Sequence, residues 1–241
     1  MDNADGKQAR KTKNSTALGL LMDHGADCIN TGLSTMAFIQ IVNAETLWCY
    51  WGFLLLFQIF FFATIEEYFF GSLDFPMINA VNEGTTGTFC FLLVGVFLGN
   101  GVYLNEIVFG LKLYQVVFSG LFLVVSIQNL YALIKLFINF KFLDVLWKNF
   151  LFTYASVAYI LVFNLSSNSV VWSQPKIVMY IFTIIFSRII ISIMIRHIFH
   201  SNFDQMQVFP LITSTIMIGL VLFEKFLIDG KLNIPLKNRI K

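Results

Sequence analysis

Residues 47–65 read LWCYWGFLLLFQIFFFATI, nineteen positions without a single charge. As a helix such a run is about 28 Å long, close to the roughly 30 Å of hydrocarbon in a bilayer. A segment facing lipid must satisfy its own backbone hydrogen bonds, which selects helix over open strand. The run is representative of the chain. Of the 241 residues 57% are hydrophobic, Phe alone supplies 28, mean hydropathy is +0.75, and only 12% are charged. A soluble domain carries about twice that share of charge, and a disordered chain has few aromatics. Both classes are excluded, leaving an integral membrane protein.

Outward from this stretch, six further segments are apolar enough to cross: 17–42, 86–104, 108–134, 149–167, 177–195 and 207–227. The fold expected is all-α, a polytopic transmembrane bundle of about seven spans forming a single membrane domain over 1–241. The segment at 17–42 is the most polar, because it contains Asp23, His24 and Asp27. The longest polar interruption, 65–85, carries Glu66, Glu67, Asp74, Pro76 and Glu83 and is expected to be a loop. No cleavable signal peptide is expected, since the first 16 residues are polar and no short apolar core with a cleavage site follows.

Positive charge sets orientation. With the N-terminus cytosolic, Lys135, Lys141, Lys148, Arg188 and Arg196 fall on or near the cytosolic side. The opposite loops hold little beyond Lys176, and the tail with Lys231, Lys237, Arg239 and Lys241 is the exception. Net charge is only +2, too little for the basic field that tracks a nucleic-acid backbone, so no nucleic-acid partner is expected. Cys28, Cys49 and Cys90 show no CxxC spacing and read as buried thiols.

Carboxylates in or beside a membrane are costly and therefore candidate functional groups. Here they fall in a pattern, Asp2-x2-Asp5-Gly6-x2-Ala9-Arg10-x8-Gly19-x3-Asp23-x3-Asp27. In helical conformation Asp2 and Asp5 share one face, and so do Asp23 and Asp27. A turn across Lys11–Ser15 brings the two pairs together. Four converging carboxylates repel one another unless cations lie between them, and an all-oxygen donor set suits Mg²⁺ or Mn²⁺ and less often Ca²⁺. Gly6 and Gly19 leave room for close approach, while Lys7, Arg10 and Lys11 supply charge for a phosphate-bearing substrate. Eight specified positions at fixed spacing recur by chance about once in 10¹⁰.

The stretches DNADGKQARKT and GLLMDHGAD resemble the signature of the CDP-alcohol phosphatidyltransferase superfamily, and most of all its choline/ethanolamine phosphotransferase branch. Glu66-x-Tyr68-x2-Gly71 and Asn79-x3-Glu83-Gly84 are similar to a later segment of that branch. The specific likeness covers the first third of the chain. It implies a transferase that moves phosphoethanolamine or phosphocholine from CDP-ethanolamine or CDP-choline to the hydroxyl of diacylglycerol, releasing CMP. It further implies two Mg²⁺ or Mn²⁺ ions and a multi-pass location in endoplasmic reticulum or Golgi membrane with the site facing the cytosol, and it leaves room for a homodimer. Carried over by position, Asp2, Asp5 and Asp23 are metal ligands, and Asp27 is a ligand or the general base. Gly6, Lys7, Ala9 and Arg10 line the CDP site, and His24 is a second candidate for the proton.

Two departures accompany the resemblance. The branch reads LGELFDHG where this chain reads LGLLMDHG, so Leu20 stands where a Glu would lie one turn from His24. A His without a carboxylate to orient it favours Asp27 as base, or a slower enzyme. The branch also places a cytosolic segment and a membrane helix ahead of the motif, so the resemblance implies a chain truncated at the N-terminus, with a short C-terminus as well. These departures keep a second reading open, a non-catalytic membrane partner of a full-length homologue. A third, an ion or proton transporter using Asp23, His24 and Asp27, accounts for neither Asp2 and Asp5 nor the basic cluster.

Overall fold

A computed structural model describes residues 8, 11–12, 16–71, 82–165, 175–199 and 208–231. Seven long helices are present among them: α1 (Ala17–Val42), α2 (Thr46–Phe70), α3 (Asn82–Leu98), α4 (Leu113–Asn139), α5 (Phe142–Leu165), α6 (Pro175–Phe199) and α7 (Val208–Lys231). Five of them, α2 and α4–α7, are long and apolar enough to cross a membrane. The expected all-helical membrane bundle is what forms. α1 falls short through polarity rather than length, since it has 26 residues; α3 is the shortest of the seven, with 17 residues.

Burial divides the bundle into an inner and an outer layer. Two thirds of the apolar window of α6 is buried, against 17% for α4 and α7, so α6 is the central post and the outer pair presents apolar side chains to lipid. Aromatic rings from α2, α5 and α6 fill the interior. Phe61 stacks on Phe152 with centroids 3.9 Å apart, Phe57 on Phe186 at 5.1 Å, and Tyr159 meets Phe182 edge-on at 4.9 Å. Rigid, large rings of this kind contribute area and offset-stacking energy at little rotamer cost.

α1 enters this core by a seam of small residues. Of its seven buried positions all but Met36 (Gly25, Cys28, Gly32, Thr35, Ile39 and Val42) repeat every three or four residues, the spacing of a left-handed helix pair. Against antiparallel α6 the contacts run in register. Gly25 meets Ile191, the Cys28 thiol donates to Ser187 Oγ at 3.4 Å, Gly32 meets Thr183, and Lys176 Nζ donates to Gln40 Oε1 at 3.1 Å. A Cβ on Gly32 would come within 2.5 Å of Thr183, so the close approach depends on glycine there, as is usual where membrane helices pack without a hydrophobic drive.

Several boundaries differ from expectation. The span expected at 149–167 starts earlier, at Phe142, so that α4 and α5 together take in most of the loop expected between them. The span expected at 86–104 ends at Leu98, because Gly99 turns to φ 82 and a 3₁₀ turn (Asn100–Leu104) follows. The span expected at 108–134 begins only at Leu113. Ahead of it Glu106–Val108 (β1) and Leu111–Lys112 (β2) form a hairpin around Phe109 and Gly110, both with positive φ. The loop expected at 65–85 is shorter, because α2 continues through Glu66 and Glu67 to Phe70 and stops at Gly71, whose left-handed φ of 76 closes the helix through an N–H bond to the Glu67 carbonyl.

Candidate functional site at the Asp23 end

The site is built on the second and third turns of α1. Thr16 has extended backbone and its Oγ1 accepts from the Gly19 N–H at 3.0 Å, a side-chain cap that fixes where the helix starts. Asp23, His24 and Asp27 therefore lie in the second and third turns. Asp23 and Asp27 share a face four residues apart, and all three side chains are half-buried. Next to them the same stretch of helix is anchored into α6 by Gly25 and Cys28. One side of the turn is thus fixed in the core while the other presents two carboxylates and an imidazole.

α2 supplies the neighbour. The chain rises about 27 Å along α1 from residue 24 and returns about 30 Å along α2 to residue 67, which brings Glu67 back beside the start of α1. Glu67 Oε2 lies 3.9 Å from His24 Nδ1, with the two side chains only 15% and 24% exposed. The adjacent Glu66 is engaged elsewhere, its Oε1 3.4 Å from Lys135 Nζ of α4. The aromatic residues that follow are held by cations. Lys135 lies over the Phe70 ring at 4.4 Å, and Lys148 of α5 lies over Phe69 and Tyr68 at 4.6 and 4.9 Å. Such cation–ring contacts are strongest where water is scarce. Lys148 also donates to Asp144 Oδ2 at 3.1 Å.

Of the residues expected to act, the structure gathers Asp23, His24 and Asp27. Asp2, Asp5, Gly6, Lys7, Ala9 and Arg10 lie outside the described residues. Among the described residues no three His, Cys, Asp or Glu side chains converge as a metal set. The donor chemistry nevertheless fits a hard divalent cation in part, since Asp23 and Asp27 offer oxygen on one helical face. Sequence reasoning passed over Glu67, Lys135 and Lys148 as site neighbours. The available signal was a Glu-Glu pair directly after an uncharged apolar run.

Comparison with known proteins assigns the motif. The CDP-alcohol phosphatidyltransferase family profile matches residues 1–127, more than half of the chain. The chain belongs to this family. Choline/ethanolaminephosphotransferase 2 of Arabidopsis thaliana is 40% identical over 91 residues, 37% of this chain and 23% of that protein. An uncharacterized class-I family protein of Dictyostelium discoideum is 37% identical over 110 residues, 43% and 26% of the two chains. Cholinephosphotransferase 1 of Xenopus laevis is 33% identical over 98 residues, 40% and 24%. The chain therefore spans about a quarter of the length of these relatives. The profile match takes in the whole motif and the end of the bundle where Asp23 and Asp27 lie.

Proposed function

We propose that the protein transfers phosphoethanolamine or phosphocholine from a CDP-alcohol to diacylglycerol. The observation that carries this reading is the Asp2-to-Asp27 motif in a chain of this family, with Asp23, His24 and Asp27 together at the polar start of α1. The relatives named for choline and ethanolamine transfer support the headgroup class.

In this reading Asp2, Asp5, Asp23 and Asp27 hold two divalent cations, Mg²⁺ or Mn²⁺, whose chemistry is to neutralise the pyrophosphate and the charge that builds on it. Lys7 and Arg10 bind the nucleotide phosphates, with Gly6 and Ala9 leaving space beside them. The diacylglycerol hydroxyl oxygen attacks the phosphorus that bears the aminoalcohol. Its bond to that phosphorus forms as the bond to the CMP oxygen breaks, and CMP leaves with that electron pair. The hydroxyl proton passes to Asp27 or His24. Because the acceptor is a lipid and the donor is water-soluble, the reaction belongs at a membrane surface; the asymmetry of lysine and arginine supports its cytosolic face, and the family resemblance implies an endoplasmic reticulum or Golgi membrane.

The test is direct. Purified protein in diacylglycerol-containing vesicles, given Mg²⁺ and CDP-ethanolamine or CDP-choline labelled in the headgroup, should move label into the lipid and release CMP in equal amount. Labelled lipid with neither donor, or undiminished transfer in excess chelator, refutes the reading. The ratio of the two donors assigns the headgroup.

A further inference from the structure

Leu20 removes from α1 the carboxylate that would lie one turn from His24, yet the structure sets a different carboxylate beside the same ring. We propose that Glu67 is the positioning residue for His24, accepting its Nδ1–H and so leaving the Nε2 lone pair to receive a proton. Its catalytic consequence rests on the transferase reading above; the pairing itself does not.

Four observations converge on this assignment. Glu67 Oε2 is 3.9 Å from Nδ1, and both side chains are largely withdrawn from water. That separation needs only a small side-chain adjustment to become a hydrogen bond, and the bonds of catalytic groups commonly tighten when substrate arrives. The neighbouring Glu66, on a different face of α2, is already taken by Lys135 at 3.4 Å, so the consecutive glutamates are divided between two cationic or cation-capable partners. The turn that carries Glu67 is fixed from both sides. The Gly71 N–H donates to the Glu67 carbonyl at 2.8 Å, and Lys135 and Lys148 lie over the three aromatic rings that follow.

The physical effect is tautomer selection. A neutral imidazole has one N–H and one lone pair, and the hydrogen bond made at one nitrogen fixes which is which. Glu67 at Nδ1 selects the form in which Nε2 is the base. A carboxylate there also stabilises the imidazolium once the proton has moved. A Glu at position 20 would do the same from within α1, so positions 20 and 67 are alternative sources of one interaction.

The experiment reads the tautomer and the rate separately. In the full chain with ¹⁵N-labelled histidine, in alkaline buffer and without substrate, the resonances absent from His24→Ala belong to His24. They should show a protonated Nδ1, and Glu67→Ala should move His24 towards the Nε2-protonated form that a free histidine side chain prefers. In the transfer assay Glu67→Ala should lower kcat about 10–100-fold, the usual cost of removing a partner that orients a histidine, with KM for the CDP-alcohol nearly unchanged. Adding Leu20→Glu to Glu67→Ala should restore most of the rate, whereas Leu20→Glu alone should change it little. An Nε2-protonated His24 in the native chain overturns the proposal, and that measurement needs no variant to fold. A Glu67→Ala loss that Leu20→Glu leaves untouched overturns it as well. If the native chain transfers neither headgroup, the function fails, and the tautomer still decides the pair.

Discussion

The two ends of α2 each hold a carboxylate against a nitrogen from another part of the chain, and they are built differently. At the Thr46 end Glu45 accepts from Lys112 Nζ at 2.6 Å, with the side chains 55% and 32% exposed. The backbone N–H of Glu45 reaches Tyr114 Oη at 3.4 Å, and Gln115 Oε1 caps α4 by accepting from the Lys112 N–H. At the Phe70 end Glu66 and Glu67 meet Lys135 and His24 at 3.4 and 3.9 Å, and every side chain involved is at most 29% exposed. The shorter contact is the one in water. Solvent screens it to a small net value, while charges half withdrawn from water feel each other more strongly and suffer more when one is left alone. Distance therefore ranks these pairs in the wrong order. Burial and the partner's chemistry separate the two ends, and the Phe70 end is the one that includes an imidazole.

The largest separation between the ends should come from the motif itself. Asp23→Asn keeps size and removes one charge from the cation cradle. Transfer should fall about 10³-fold or more, the scale of losing a preorganised charge-stabilising group, while the thermal midpoint stays close to native. Glu45→Gln, at the other end, should leave the rate unchanged. An Asp23→Asn variant that keeps most of its activity would make the two ends equivalent and remove the catalytic meaning of the motif.

A second contrast uses the lysines. Lys135→Met retains the apolar stem over Phe70 but leaves Glu66 uncompensated next to Glu67, so one carboxylate repels or captures the partner of the other. Activity should fall about tenfold, by part of the orienting effect assigned to Glu67. Lys112→Met removes a closer ion pair and should leave activity at the native level. Equal losses in the two variants would show that either lysine acts only through general stability.

How far the sequence revealed all this depends on the range of the interaction. α1 was expected at 17–42 and is found at Ala17–Val42, because its cap at Thr16 and its end at Asn43, with φ 53, are local features. The face shared by Asp23 and Asp27 is local too. The hairpin ahead of α4 was hidden, since Phe109-Gly110 sits inside an apolar run and a turn with positive φ at both positions usually announces itself with Asn or Asp; here the first position is Phe109, which is 99% exposed. Glu67 was hidden for a different reason. Its closeness to His24 is set by the lengths of two antiparallel helices, and neither helix carries a local sign of it. Local rules read the motif, and tertiary packing supplied its neighbour.

Gly71 connects the two kinds of information. Its φ of 76 lies where a Cβ is strained, although none of the described residues stands within 4 Å of the position such a Cβ would take. Gly71→Ala should therefore cost about 1–2 kcal/mol from conformation alone, seen as a lower thermal midpoint in detergent. If the chain relieves that strain by unwinding the last turn of α2, Glu67 shifts, and kcat falls along with the midpoint. A lowered midpoint with native kcat would mean the last turn is held by the cation–ring contacts instead.

The smallest effect belongs to the exposed end, and its pH dependence has a definite sign. The Lys112 ammonium, hydrogen-bonded to Glu45, holds the Glu45 carboxyl below its usual value of 4.5 and is itself held above 10.5. A carboxylate with a lowered folded-state pKa contributes stability above its unfolded value and loses it as pH falls through the folded one. For a lysine with a raised pKa the contribution is present below its unfolded value and is lost as pH rises through the folded one. The pair therefore contributes fully between about 4.5 and 10.5 and fades outside that window. Glu45→Gln should lower the thermal midpoint slightly at neutral pH and low salt. The difference should shrink at molar salt, where the Debye length is about 3 Å, and vanish in acid below the folded-state value. A difference that persists in acid and in salt would mean Glu45 acts through packing on Tyr114 and not through charge, and the contrast between the two ends of α2 would then be one of shape and not of screening.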